Sequence, residues 1–168
     1  DQTIKFKEFN LTAYKPFAKH IYEESLLGNL IDSTLVLNNG NVTTINFNDN
    51  TPDEKACSYL VKKFKNIDLA LLNYNAAGPY TSCFDNLDKE KKIEEKNRII
   101  KRNFDHLCKM ISILKPNYVL PFGGSYIVGG KNYYKNEYLG TTTWDECSDY
   151  LKENLKNNTK IITLRENQ

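Results

Sequence analysis

Histidine, cysteine and acidic side chains are the groups with which proteins most often hold metals, move protons or attack carbonyl carbons. This sequence is sparing with the first of them. Its two histidines, His20 and His106, stand far apart, so the chain builds no multi-histidine metal site of its own. His106 sits two residues before Cys108 in a stretch of helical pattern. Positions two apart on a helix point roughly 200° from each other and cannot share one ion. A packing or surface role suits both histidines. The four cysteines, Cys57, Cys83, Cys108 and Cys147, contain no C-x-x-C pair, which argues against a zinc ribbon, a thioredoxin motif and an iron-sulfur run. They read as reduced thiols of a cytoplasmic protein.

Asp49 is the acidic residue whose setting stands out. It follows a β-branched and apolar run inside the polar turn Asn48-Asp49-Asn50, and the carboxyl ends of strands in α/β folds are where ligands and metals gather. A hard carboxylate there suits a divalent metal or a sugar hydroxyl. An Asx turn leading into a helix accounts for the same residues, and spacing leaves both readings open.

The glycine pairs Gly123-Gly124 and Gly129-Gly130 invite a phosphate-loop reading, which the spacing rejects. Counting back from Gly130-Lys131, Ser125 stands where a Walker A loop needs its first glycine, and Asn132 where it needs the hydroxyl. No G-x-G-x-x-G occurs. Gly124-Ser125-Tyr126 begins like a nucleophile elbow, yet Ile127 replaces the closing glycine. Turns between strands explain these residues.

The elements that must position such groups follow from pattern. A weak alternation opens the chain through Ile4, Phe6 and Phe9, and Pro16 to about Leu27 suits a helix ending near Gly28. Ser33–Leu37 and Val42–Phe47 flank Asn38-Asn39-Gly40-Asn41, the strongest short signal for a β-hairpin. Thr51 is a plausible cap for a helix opening at Pro52-Asp53-Glu54 and running to about Lys65. Ile67–Leu72 is a continuous apolar run suited to a strand buried on both faces. A polar, small-residue loop, Asn73–Asp85, leads to a long helix over about Asp88–Leu114. The dense charge run in the first half of that helix reads as a solvated face laced with (i, i+4) pairs. Tyr118–Pro121 makes a further strand, Ser125–Val128 a short strand or turn, Thr143 caps a last helix to about Leu155, and Lys160–Leu164 closes as a strand. The order predicts one α/β domain over residues 1–168.

Composition bounds the function classes. Of 168 residues, 40% are hydrophobic and 26% charged, with 23 Lys and Arg against 21 Asp and Glu. These values exclude wholesale disorder and give no nucleic-acid footprint. No apolar run approaches the roughly 18 residues of a membrane span, and no signal-peptide pattern opens the chain. A soluble, cytoplasmic protein without nucleic-acid or membrane partners is expected. Only Arg98, Arg102 and Arg165 offer a planar fork to phosphate or carboxylate.

Taken together, the hairpin, the Asn48-Asp49 turn, Pro52-Asp53 and its helix, IDLALLNYNAAGPYTSCF, the basic long helix and KPNYVLPFGGSYIVGG resemble the C-terminal half of a metallo-β-lactamase fold. The likeness runs from about Ser33 to Tyr138 and is nearest to the branch of sugar-nucleotide hydroxylases acting on CMP-N-acetylneuraminate and UDP-N-acetylmuramate. It implies half of an αββα sandwich: a mixed sheet with a β-hairpin and flanking helices. It also implies that Asp49 is a metal ligand, and that the loop from Ala76 to Phe84 borders the active-site edge, where Tyr80, Ser82 and Cys83 meet substrate. Lys131 is a further candidate contact for an anionic substrate.

The departures matter as much. The fold's His-x-His-x-Asp-His signature is absent, Pro121-Phe122-Gly123-Gly124 stands where a late histidine ligand is often found, and no Rieske pattern occurs. The resemblance therefore implies a fragment of a metal-dependent hydrolase or hydroxylase acting on a phosphorylated or nucleotide-linked sugar. Zinc or iron would belong to the full-length parent, with none stably held by this chain alone. A non-catalytic α/β module binding an anionic ligand or a protein is the alternative. An exposed sheet edge is expected, paired in a homodimer or with a missing N-terminal half.

Overall fold

Three strands in the middle of the sheet alternate between buried and half-buried side chains, and that alternation organises the computed structural model, which describes residues 2–15, 33–75 and 78–164. The predicted helix from Pro16, His20 included, lies outside the described residues. β1 (Gln2–Phe6), β2 (Phe9–Tyr14), β3 (Thr34–Asn38) and β4 (Thr43–Asn46) form an antiparallel meander. β5 (Leu69–Asn73), β6 (Tyr118–Phe122) and β7 (Lys160–Ile161) then continue the same sheet in parallel from β4. Spatial order follows chain order throughout the seven strands.

Each parallel connection carries a helix: α1 (Glu54–Lys63), α2 (Lys89–Leu114) and α3 (Trp144–Asn154). All three pack on one face of the sheet. Val36, Ile45, Ala70, Leu72 and Val119 from that face share one core with Leu60 of α1, Phe104, Leu107 and Ile111 of α2, and Leu151 of α3. The mixed sheet, its hairpin and its flanking helices are those expected from the sequence.

The opposite face follows from register. Ile4 pairs with Leu11, Leu11 with Leu37, Leu37 with Thr44, Thr44 with Leu69, and Leu69 with Tyr118, so these residues form one row across the sheet. Leu35, Leu37, Leu69 and Leu71 on that face are half-buried. The central strand expected to be buried on both faces is therefore fully buried only where Ala70 and Leu72 meet the helices. Continuous apolarity does not distinguish a face under helices from one without them.

Helix ends correct the sequence reading in one place. Thr51 does not cap α1. Asp53 does, accepting from the Ala56 amide at 2.7 Å, while the Thr51 hydroxyl lies 3.0 Å from the Asn73 amide nitrogen. The carboxylate is the stronger acceptor for an orphan amide, and it stands at the last extended residue before the helix. Asp88 caps α2, and Thr143 with Glu146 forms a full capping box on α3. The Ser125–Val128 stretch is irregular and leads into a 3-10 helix, Gly130–Tyr138.

The joint between α2 and the segment before α3 is tight. A Cβ built on Gly140 would lie 2.9 Å from Ile99 Cγ2 and 3.2 Å from Ile99 Cβ. Gly140→Ala is accordingly expected to destabilise the protein by about 1–3 kcal/mol in urea unfolding, the usual cost of an extra methyl in a packed site. Gly129→Ala, with open space around the new methyl, should stay within about 0.5 kcal/mol of the parent.

Candidate functional site

The parallel register sets three strand ends side by side, since Asn46 pairs with Leu71 and Leu71 with Leu120. The loops leaving β4, β5 and β6 therefore emerge at one edge. Carboxamides tie them. Asn46 Oδ1 accepts from the Asn48 amide at 2.9 Å and fixes the turn that carries Asp49. Asn73 Nδ2 donates to Thr51 Oγ1 at 3.0 Å, joining the β4 and β5 loops. Asn75 Nδ2 donates to the carbonyls of Gly124 and Thr142 at 2.8 and 2.9 Å, and Asn75 Oδ1 accepts from the Thr142 amide and hydroxyl at 2.9 and 3.1 Å. Trp144 Nε1 donates to the Pro121 carbonyl at 2.6 Å, bringing α3 to the same edge. Gly123 answers a steric need: its φ is +98°, and a Cβ there would stand 3.3 Å from Asn73 Cβ.

Asp49 is exposed on this edge, and its carboxylate accepts no hydrogen bond among the described residues. Beside it Asn50 is fully buried, with Nδ2 3.0 Å from Thr34 Oγ1. Among the described residues no group of three His, Cys, Asp or Glu side chains converges as a metal cage would require. Asp49 fits the part of one ligand. The neutral amides around it do not complete a set. His106 is placed elsewhere, its Nε2 2.9 Å from the Pro52 carbonyl, where it joins α2 to the start of α1.

The β5–α2 loop is docked sideways onto α2. Tyr80 Oη donates to Glu95 Oε2 at 3.0 Å, and Arg98 donates to the same oxygen through Nε and Nη2 at 3.0 and 2.6 Å. Thr81, fully buried, donates to the Tyr138 carbonyl at 2.9 Å. Tyr126 Oη donates to the Gly78 carbonyl at 2.6 Å. Of the loop residues singled out from sequence, Tyr80 is turned toward Glu95 and Ser82 is buried with its hydroxyl 3.4 Å from the Pro79 carbonyl, while Cys83 is exposed. Lys131 is exposed at the start of the 3-10 helix. Burial pushes the thiols of Cys57 and Cys147 up to about 12.

Sequence reasoning took the charge run of α2 as a solvated face. Part of it is: Lys91 pairs with Glu94 at 2.8 Å and Lys101 with Asp105 at 2.6 Å. Lys92 and Glu95 are instead buried, Glu95 beneath Tyr80 and Lys92 with its ammonium 5.4 Å from the Tyr138 ring centroid. Nothing in the spacing of a mixed-charge run marks which members a loop will cover.

No family model matches the chain, and no curated protein does. Among solved structures it is similar to CmlA, a diiron β-hydroxylase from Streptomyces venezuelae, at 11% identity and a TM-score of 0.52, covering 97% of this chain and 32% of that one. A variant of CmlA β-hydroxylase gives 12% identity and the same TM-score, over 97% and 31%. The metallo-β-lactamase-fold protein YhfI from Bacillus subtilis aligns at 12% identity with a TM-score of 0.48, over 97% and 50%. With the mixed sheet and its flanking helices, these likenesses show an α/β fold shared with part of CmlA. The chain spans about a third of the length of the CmlA chains it matches. No helix among the described residues is long and apolar enough to cross a membrane.

The Tyr80–Glu95–Arg98 cluster carries a pH dependence. The Arg98 guanidinium, with the Tyr80 hydroxyl second, lowers the Glu95 carboxyl from 4.5 to about 2. A carboxyl with a depressed folded-state value contributes its stabilisation in full above the ordinary value and loses it as pH falls toward the folded one. Wild type should exceed Glu95→Gln in urea stability at neutral pH, and the gap should close between about pH 4.5 and 2. A gap that stays constant over that window would contradict the assignment.

Proposed function

We propose that the chain is the carboxyl-terminal portion of a metal-dependent hydrolase or hydroxylase of metallo-β-lactamase fold. In this reading Asp49 supplies one carboxylate to an ion whose remaining donors lie outside the described residues. The single observation that carries it is the exposed carboxylate of Asp49, which accepts no hydrogen bond among the described residues, on a strand edge laced by carboxamides. The fold supports it, and so does the share of the CmlA chains left uncovered by this one. A divalent ion, when bound, would activate water or oxygen. The chain's own residues hold the edge in shape: Asn46 fixes the Asp49 turn, Asn73 and Asn75 lock the adjoining loops, and Gly123 lets them approach.

The substrate class in this reading is a phosphorylated or nucleotide-linked sugar. It is supported by the motifs around Asp49 and the AAGPYTSCF loop, and by Lys131, exposed for an anionic group. The leucine rows opposite the helices are the surface on which the rest of the parent would pack, or failing that a second copy.

Metal analysis of the longest natural polypeptide containing these residues tests the reading. Wild type should retain stoichiometric iron or zinc through gel filtration, and Asp49→Ala should lose at least half of it while its thermal melting stays within a few degrees. A wild-type polypeptide free of metal, even after incubation with either ion, would sink the proposal. It would favour the second reading, a non-catalytic module for an anionic ligand or a protein. One observation speaks for that reading: the donors lining the strand edge beside Asp49 are carboxamides engaged with other protein groups.

A further inference from the structure

β1 is the outer strand of the sheet and pairs with β2 alone. All five of its residues are exposed, Ile4 at 68% and Phe6 at 61%. Register shows which of its backbone groups are free. Phe6 pairs with Phe9 across the two-residue turn Lys7-Glu8, the arrangement in which the first carbonyl accepts from the fourth amide. Backbone groups along a strand alternate between its two sides. Gln2, Ile4 and Phe6 therefore bond to β2, while Thr3 and Lys5 turn their N–H and C=O groups to the open edge.

Such an edge accepts another strand, and its side chains decide which one. Two copies of β1 can pair antiparallel about a two-fold axis normal to the sheet, which keeps each side chain on its own face. Centred on Lys5, this pairing sets two ammonium groups directly opposite each other, which is unfavourable. Centred on Thr3, it leaves Lys5 and Phe6 of both strands without partners in β1. Centred on Ile4, it pairs the whole strand: Gln2 with Phe6 of the second copy, Thr3 with Lys5, and Ile4 with Ile4. The free groups of Thr3 and Lys5 then satisfy one another on both sides of the axis. Ile4 meets its counterpart at a position without hydrogen bonds, where opposed side chains come closest. Ile4 already stands in the row of Leu11 and Leu37, so this register joins the apolar rows of the two copies.

We infer that β1 is a docking strand for a second copy of this chain, paired antiparallel about Ile4 so that one sheet runs through both. Lys5 sets the register, because a strand that places a cation opposite it is refused. The contact is small, and the association is accordingly weak and reversible. It depends on neither the metal nor the substrate.

Sedimentation velocity of the 168-residue chain in a Cys83→Ser background tests it, from about 10 μM to about 1 mM, the range of weak association. Monomer should pass to dimer across that range. Ile4→Glu opposes two carboxylates at the axis and should weaken the dimer at least about fivefold. Thr3→Glu sets a carboxylate against each Lys5 and should strengthen it about threefold or more, whereas Thr3→Lys should weaken it. Both Thr3 variants lose the same hydroxyl contact with Thr12, so the difference between them reads the pairing. Under mild oxidation Ile4→Cys should cross-link to its counterpart, and Thr3→Cys and Lys5→Cys far more slowly. Thermal melting within a few degrees of the parent keeps each variant informative. A chain that stays monomeric throughout overturns the inference, as do Thr3→Glu and Thr3→Lys dimerising alike or cross-linking indifferent to position. A dimer that persists in Ile4→Glu overturns it too, and moves the second copy to the leucine face.

Discussion

The carboxamide of Asn75 is the interaction on which the candidate site depends. Its nitrogen donates to two carbonyls and its oxygen accepts from an amide and a hydroxyl, which is every hydrogen bond an asparagine side chain can make. The partners come from the loop after β6 and from the segment that enters α3. One side chain thus sets the distance between three segments that the strands alone would leave independent. Removing it would strand four polar groups at once, each costing about 1–3 kcal/mol if left buried and unpaired. Such a saturated network specifies one arrangement of the loops, because every alternative leaves several members unsatisfied.

How much of this was legible in the sequence follows from range. The Asn-Gly hairpin and the Thr143 cap are local signals, and each corresponds to an element of the structure. β2 carries less signal: the weak alternation through Ile4, Phe6 and Phe9 stops at its first residue, and the strand Phe9–Tyr14 is defined by pairing on both sides, Leu11 with Ile4 and with Leu37. The cap of α1 went to Asp53 because the Thr51 hydroxyl is engaged by Asn73, 22 residues away. The Asn75–Thr142 bonds span 67 residues. No window of sequence contains both partners, and an asparagine in a loop looks the same whether it faces water or four donors and acceptors.

The same limit applies to the helix that supports the β5–α2 loop. Lys91, Lys92, Glu94 and Glu95 are adjacent and chemically interchangeable as a charge run, yet Lys91 and Glu94 lie in solvent while Lys92 and Glu95 are buried. What selects them is the β5–α2 loop, which brings a tyrosine hydroxyl to Glu95, and the 3-10 helix, which brings the Tyr138 ring to Lys92. Burying an ionised carboxylate is costly unless it is hydrogen-bonded and paired, and Glu95 has both Tyr80 and Arg98. The candidate substrate loop and the charge run are therefore one unit, joined by a pairing that composition does not reveal.

Electrostatics then limits what the strand edge can hold by itself. Around Asp49 the side chains are amides and hydroxyls, so the strand ends present one negative charge on a neutral, hydrogen-bonded frame. A divalent ion would meet there a fixed point of attachment but too little anionic charge to offset its own desolvation. The donors that would make such an ion stable must come from another polypeptide segment. Any metal held at this edge would thus need donors from beyond the described residues.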